Sequence, residues 1–185
     1  MNSNFIPTHG GYRNLLSFQR AETVYDGTVY FTKRFFNEYD RTRSQMVQAA
    51  RSGKQNIAEA SIVSATSKET EIKLTNVARA SLEELLIDYE DFLRTRNQKR
   101  WEKTHRLVLR MRELSRIPNA NYATFKKAIE NDEPAICANV MISLIMTTTY
   151  LLKQQIKSLE SAFINDGGLR ERMTKARIEK RNCTE

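Results

Sequence analysis

Apolar side chains recur at intervals of three and four residues along most of this chain, whereas the alternating pattern typical of strands is absent. This spacing places the apolar side chains on one face of a helix. The pattern therefore predicts four long helices and two shorter ones. The first of the two shorter helices is amphipathic. The long helices are predicted over 17–39, 42–64, 66–96 and 133–164, and the shorter ones over 97–115 and 121–131.

The inner face predicted for the second helix consists mostly of small side chains. A glycine inside a helix costs about 1 kcal/mol relative to alanine, so Gly53 indicates close approach of another helix, with local flexibility as the alternative. Thr66 and Glu69 match a capping box that starts the third helix, and folding back about this hinge places Gly53 opposite Ala78. The inward positions are Met46, Ala50, Gly53, Ile57 and Ala60 in the second helix and Phe18, Ala21, Tyr25, Thr28, Thr32, Phe35 and Tyr39 in the first.

Four long amphipathic helices with short links predict an all-α fold, namely an antiparallel up-and-down four-helix bundle. The low content of glycine (6) and proline (3) among 185 residues agrees with long helices. We expect residues 1–168 to form a single domain, with 97–131 as a helical insertion between the third and fourth helices. A basic C-terminal tail, 169–185, follows the Gly167-Gly168 pair, which ends the fourth helix.

The fourth long helix begins with an uncharged stretch, 134–152, which is about as long as a membrane span. Asn139, Ser143 and the triple threonine 147–149 would make a lone span costly in lipid. A helix that is apolar all round is normally buried. We therefore predict a buried helix and no membrane partner, and the width of the apolar surface hints at burial against another subunit.

Positive charge is concentrated around the predicted insertion. Residues 94–116 hold nine basic and two acidic side chains, in a chain whose net charge is +8. The predicted 97–115 helix is separate from the third helix or continuous with it. In a continuous helix, 100° per residue places five of the cations in one stripe, and a phosphate backbone would relieve their mutual repulsion. A solvated face and a contact with an acidic protein surface are the alternatives. The stripe consists of Arg96, Lys99, Lys103, Arg106 and Arg110.

Other basic side chains extend this candidate nucleic-acid surface. Arg100 adjoins the stripe, and the tail from 169 onward holds six basic and three acidic residues. Basic tails often add nonspecific affinity for phosphate, although solvated disorder is the alternative here. Trp101 is expected to dock on the bundle, with stacking on an unpaired base as the alternative. The predicted tail contacts are Arg170, Arg172 and Lys175.

The sequence lacks the patterns of the common catalytic sites. The two histidines, His9 and His105, have no serine or cysteine at a spacing that suggests nucleophilic catalysis, and no phosphate-binding loop is present. The two cysteines, Cys137 and Cys183, show neither metal-ligand spacing nor a disulfide framework. We therefore expect no enzyme, no cofactor and no bound metal. The first eleven residues lack the apolar core of a signal peptide, and a reducing, cytoplasmic location is expected.

Two segments resemble signature motifs of the 23S rRNA intervening-sequence four-helix-bundle family, whose relatives include the accessory variability determinant of diversity-generating retroelements. Gln-Asn-Ile-Ala-Glu-Ala at 55–60 resembles the family's Asn-Ile-Ala-Glu-Gly, and 77–85 resembles its Ala-Arg-Gly-Ser-Leu-x-Glu. Ala60 and Ala80 replace the usual glycines, and 167–173 resembles a variant with a C-terminal suffix. The signature residues are Asn56, Glu59, Arg79, Ser81 and Glu83. We expect them to fix the register of the packed helices. A catalytic pair formed by Glu59 and Glu83 is the alternative.

This resemblance implies a homo-oligomer, a ring-forming pentamer, and a partnership with a reverse transcriptase and nucleic acid. Together with the basic surface, it leads to the hypothesis of a non-enzymatic, RNA-binding or DNA-binding accessory protein. Little sequence preference is expected, because no motif that reads bases is visible. The alternative is a protein–protein interaction scaffold that does not bind nucleic acid directly.

Overall fold

The computed structural model describes residues 11–182, and these residues form helices and no strand. The predicted all-α class is confirmed. A short 3₁₀ turn, Tyr12–Asn14, precedes the first α-helix. The α-helices are Leu16–Phe35 (α1), Arg41–Val63 (α2), Lys68–Thr95 (α3), Arg106–Ser115 (α4), Tyr122–Ile129 (α5), Pro134–Asp166 (α6) and Leu169–Asn182 (α7).

The four long helices pack against one another around a common core. α1 packs along α2, α2 along α3, α3 along α6, and α6 along α1. In the interior, the Phe31 ring lies 4.8 Å from the rings of both Tyr89 and Phe92. The buried Tyr89 hydroxyl donates to the Thr28 hydroxyl oxygen at 3.1 Å. The shorter helices α4 and α5 lie outside this core, with α4 against α6 and α5 against both α1 and α6.

Small residues let the helices approach closely at two contacts. All five positions predicted to face inward from α2 are buried, and a Cβ atom added to Gly53 would lie 2.8 Å from Leu82 Cγ. The close approach predicted at Gly53 is therefore confirmed. Gly27 plays the same part in α1, where an added Cβ would lie 2.6 Å from Met141 Sδ. On α1 the predicted inner face is wrong at Tyr39, which is 90 % exposed because the helix ends at Phe35.

The start of α3 differs from the predicted capping box. Ser67, and not Thr66, is the N-cap residue, and its hydroxyl oxygen accepts from the Thr70 backbone N–H at 3.1 Å. The Thr66 hydroxyl instead donates backward to the Val63 carbonyl at 3.1 Å. The hinge is where the sequence predicts it, but the helix begins one residue later than a Thr66 cap would require.

The predicted helix over 97–115 is wrong in its first half, because α3 ends in a Schellman motif. Asn97 adopts a left-handed conformation, with φ of 53°. Its N–H donates to the Arg94 carbonyl, and the next N–H, of Gln98, donates to the Leu93 carbonyl at 2.9 Å. The chain then runs as an irregular loop until α4, where His105 Nδ1 accepts from the Leu107 N–H at 3.3 Å.

α6 is long and apolar enough to cross a membrane, judged by length and composition alone. In this structure 67 % of its most apolar 18-residue stretch is buried inside the protein. The burial predicted for this segment is therefore confirmed. Its polar side chains bond mainly within the helix, since Ser143 and Thr148 donate to the carbonyls of Asn139 and Leu144 four residues earlier.

Candidate nucleic-acid interface

The basic connection between α3 and α6 is attached to the core at two polar anchors. The first is Asn139, a buried residue of α6 that is 2 % exposed. Its Oδ1 accepts from the Trp101 backbone N–H at 2.7 Å, and its Nδ2 donates to the Lys99 carbonyl at 3.1 Å. One amide therefore fixes the backbone of the irregular loop on both sides of Arg100.

The second anchor is Arg20, a residue of α1 whose side chain is almost fully buried. Its guanidinium donates to the carbonyls of Ser115, at 2.9 Å from Nη2, and of Ile117, at 3.2 Å. It also donates to the Ala120 carbonyl and lies over the Phe125 ring, 5.9 Å from the centroid. Burial lowers the pKa of Arg20. A cation at the C-terminal end of α4 compensates the partial negative charge of that helix terminus.

The predicted single-helix stripe of cations is wrong, because Arg96, Lys99 and Lys103 precede α4. Only Arg106 and Arg110 lie on a helix, so 100° spacing does not relate the five side chains. The loop and α4 nevertheless carry the cations on a surface that the two anchors hold in place. Eight of the nine basic residues of 94–116 are exposed, and the ninth, Arg112, is half-buried.

Four of the nine basic residues are engaged by the protein's own side chains. Arg94 pairs with Asp91 at 2.8 Å, Arg100 pairs with Glu90, and Arg110 pairs with Glu113 at 3.2 Å. Arg96 stacks on Phe92 with 3.8 Å between the guanidinium carbon and the ring centroid. Within residues 11–182, no acidic side chain forms an ion pair with the other five. These five are Lys99, Lys103, Arg106, Arg112 and Arg116.

Trp101 lies in the anchored loop and packs against the core, as predicted. Its indole stacks on the His105 imidazole, with ring centroids 4.3 Å apart and planes 15° apart. A groove of about 610 Å³ opens next to this loop between α4 and α6. Lys103, Arg112 and Arg116 line it, and no acidic residue does.

The tail and the signature residues lie elsewhere. Arg170 and Lys175 are exposed on α7, while the Arg172 side chain is outside the described part of the structure. Among the signature residues, Ser81 reaches the neighbouring helix, with its hydroxyl oxygen 3.1 Å from that of Ser52. The hydrogen bonds of the other signature residues stay within one helix. Asn56 donates to the Ser52 carbonyl, Arg79 pairs with Glu83 at 2.5 Å, and Glu59 is exposed.

Candidate catalytic and metal-ligating groups do not converge among residues 11–182. No group of three or more histidine, cysteine, aspartate or glutamate side chains is placed to hold a metal ion there. Cys137 is buried, and its thiol donates to the Ile129 carbonyl at 2.8 Å. Burial raises the pKa of this thiol to about 12, which keeps it protonated and unreactive. The predicted positions His9 and Cys183 lie outside the described residues.

No family model, curated protein or solved structure matches the chain. The geometry of the connection is therefore the main source of functional inference. Sequence reasoning missed both anchors and the two further cations, Arg112 and Arg116. Arg112 and Arg116 belong to the basic segment 94–116 but not to the predicted stripe. The number of basic residues in the segment therefore predicted this surface better than the helical stripe did. Arg20 gave no local signal, because its partners lie 95 to 100 residues away.

Proposed function

We propose that this protein binds RNA or DNA through the basic connection between α3 and α6. The observation that carries the proposal is a set of five cations on an anchored surface that have no acidic partner among residues 11–182. Such a surface attracts a polyanion because contacts with phosphate release condensed counterions. Holding the backbone at Asn139 and Arg20 lowers the entropy that is lost when the cations are engaged.

The contacts in this proposal are electrostatic and do not read sequence. Lysine and arginine side chains on a loop and a short helix meet phosphate oxygens, which are the same at every nucleotide. Arg96, Arg100 and Arg110 take a smaller part than the sequence alone suggests, because each is engaged within the protein. Arg170 and Lys175, on exposed faces of α7, supply additional phosphate contacts.

The test is a charge reversal of three exposed, unpaired cations, Lys103→Glu, Arg106→Glu and Arg116→Glu. Wild-type protein should retain a labelled oligonucleotide at low salt, with a logarithmic affinity that falls linearly with the logarithm of salt concentration. The triple variant should lose this binding. Fluorescence anisotropy over a salt series measures both the affinity and the slope.

A matched control reverses three exposed basic residues elsewhere, Lys33→Glu, Arg41→Glu and Arg51→Glu, and changes the net charge by the same amount. The control should bind more weakly only through the change in overall charge, and so clearly better than the first triple variant. Equal binding by the two triple variants would contradict a localised interface. Absence of binding by the wild-type protein at low salt would contradict the function itself.

We also propose that the chain is a member of the intervening-sequence bundle family and that α1, α2, α3 and α6 form an antiparallel up-and-down four-helix bundle. The motifs at 55–60 and 77–85 and the cyclic packing of these helices support this. A homo-oligomer with a reverse transcriptase as protein partner follows from that resemblance, and a cytoplasmic location from the lack of a disulfide framework.

The second candidate function is a protein-interaction scaffold. Exposed apolar side chains on α3, Val77 and Ile87, favour it, since they are 45 % and 57 % exposed. A partner retained after nuclease treatment and in high salt would support this function over direct binding of nucleic acid.

A further inference from the structure

The groove between α4 and α6 combines cations with an apolar floor. It has a volume of about 610 Å³, within the range of known ligand pockets. Leu16 and Leu151 contribute apolar surface from α1 and α6, and Val108 and Met146 from α4 and α6. A smaller cavity of about 30 Å³ shares several of these lining residues and extends the groove to Trp101.

The polar groups on the floor are already engaged. The Ser115 hydroxyl donates to the Met111 carbonyl at 2.7 Å, and the Thr147 hydroxyl donates to the Ser143 carbonyl at 2.9 Å. These hydroxyl protons are therefore unavailable for recognising the edge of a base. The floor offers dispersion and apolar contact, which every base can satisfy through its faces.

Two aromatic rings lie near the cations, since Tyr150 lines the groove and Trp101 lines the smaller cavity beside it. Trp101 is held next to Asn139 by a hydrogen bond to its backbone, and Tyr150 lies eleven residues further along α6. At 1.5 Å per residue, this corresponds to about 16 Å along the helix axis. Tyr150 is 60 % exposed, so its ring is accessible to a ligand that enters the groove.

We propose that this groove binds single-stranded nucleic acid, with an unstacked base on the Tyr150 ring beside the apolar floor and the flanking phosphates on Lys103, Arg112 and Arg116. This inference rests on the proposed function and names its ligand class. A duplex buries the faces of its bases in stacking, so the apolar floor adds nothing to duplex binding. A single strand offers both base faces and phosphates. Three cations also exceed what a single carboxylate needs, which favours a polyanion over an acyl chain.

The test compares fluorescently labelled oligo(dU) and oligo(U), which differ only in the sugar, with a duplex of equal length at one low salt concentration. The wild-type protein should bind both single strands more tightly than the duplex. Tyr150→Ala should weaken single-strand binding by roughly 5- to 150-fold, the cost of losing one stacked base, and leave duplex binding unchanged. Tyr150→Phe keeps the ring and should retain wild-type affinity. If one of the two single strands is preferred, the sugar distinguishes RNA from DNA as the ligand.

The matched control is Tyr39→Ala, which removes an exposed tyrosine in the link between α1 and α2. It should change neither affinity. Equal binding of single strand and duplex, with no effect of Tyr150→Ala, would overturn this inference and leave the proposed function standing. Binding of dodecanoate that is lost in Tyr150→Ala, while oligonucleotide binding persists, would assign the groove to an acyl anion and also overturn it. No binding of either nucleic acid would end both proposals.

Discussion

At the scale of single residues, two buried polar side chains determine where the basic connection lies. Arg20 and Asn139 bond to backbone carbonyls and an N–H of the connection, and not to its side chains. Neither was identified from sequence as an anchor, because partners 38 to 100 residues away leave no local pattern. A lone arginine in a predicted helix is normally assigned to the solvated face.

We predict that Arg20→Met destabilises the protein by about 3 kcal/mol, because it leaves buried carbonyls without donors. Chemical denaturation measures this change in the free energy of unfolding. Arg34→Met is the control in the same helix, since its ion pair with Asp132 is exposed and should contribute at most about 1 kcal/mol. Equal effects of the two substitutions would show that the Arg20 bonds contribute nothing beyond those of a surface pair.

At the scale of elements, the helical faces and most helix ends were predictable, the ends to within two residues. The two larger errors are the end of α1, predicted at 39, and the start of α4, predicted at 97. The period of apolar residues depends on neighbours three and four positions away, so all five inward positions of α2 were identified. Ends depend on single residues that leave the helical conformation. Asn97 ends α3 inside a segment whose amphipathic pattern continues, and the pattern alone therefore predicted a helix through 97–115.

The left-handed conformation of Asn97 leads to a prediction about substitutions there. In this conformation a residue with a Cβ and no compensating polar group is destabilised by roughly 1–2 kcal/mol, whereas glycine is almost unaffected. Asn97→Gly should therefore unfold at or slightly above the wild-type temperature, and Asn97→Val clearly below it. Thermal unfolding followed by circular dichroism measures both. A valine variant as stable as the glycine variant would mean that α3 readily continues past residue 97.

At the scale of the whole molecule, the surplus of positive charge is concentrated in two segments of the chain. The charge surplus belongs to the connection and the tail, as the residue count predicted. The groove was not predictable, because it arises only where α4 packs against α6. Val77 and Ile87 are apolar and exposed on α3, and we take them as the candidate contacts with another copy of the chain.

We predict that the protein forms a homo-oligomer at micromolar concentration. A pentamer would have a mass near 107 kDa, five times the chain mass of 21.5 kDa. Light scattering coupled to size-exclusion chromatography measures this mass. Val77→Lys with Ile87→Lys should lower it, whereas Leu109→Lys, an equally exposed leucine on α4, should not. A monomeric wild-type protein would refute the ring.

Because Arg20 holds main-chain oxygens, the exposed positions 116 and 117 of the turn can exchange their side chains without losing these hydrogen bonds. If the proposed interface is right, two of its positions are thus open to substitution, while a single side chain of α1 sets the path of their backbone.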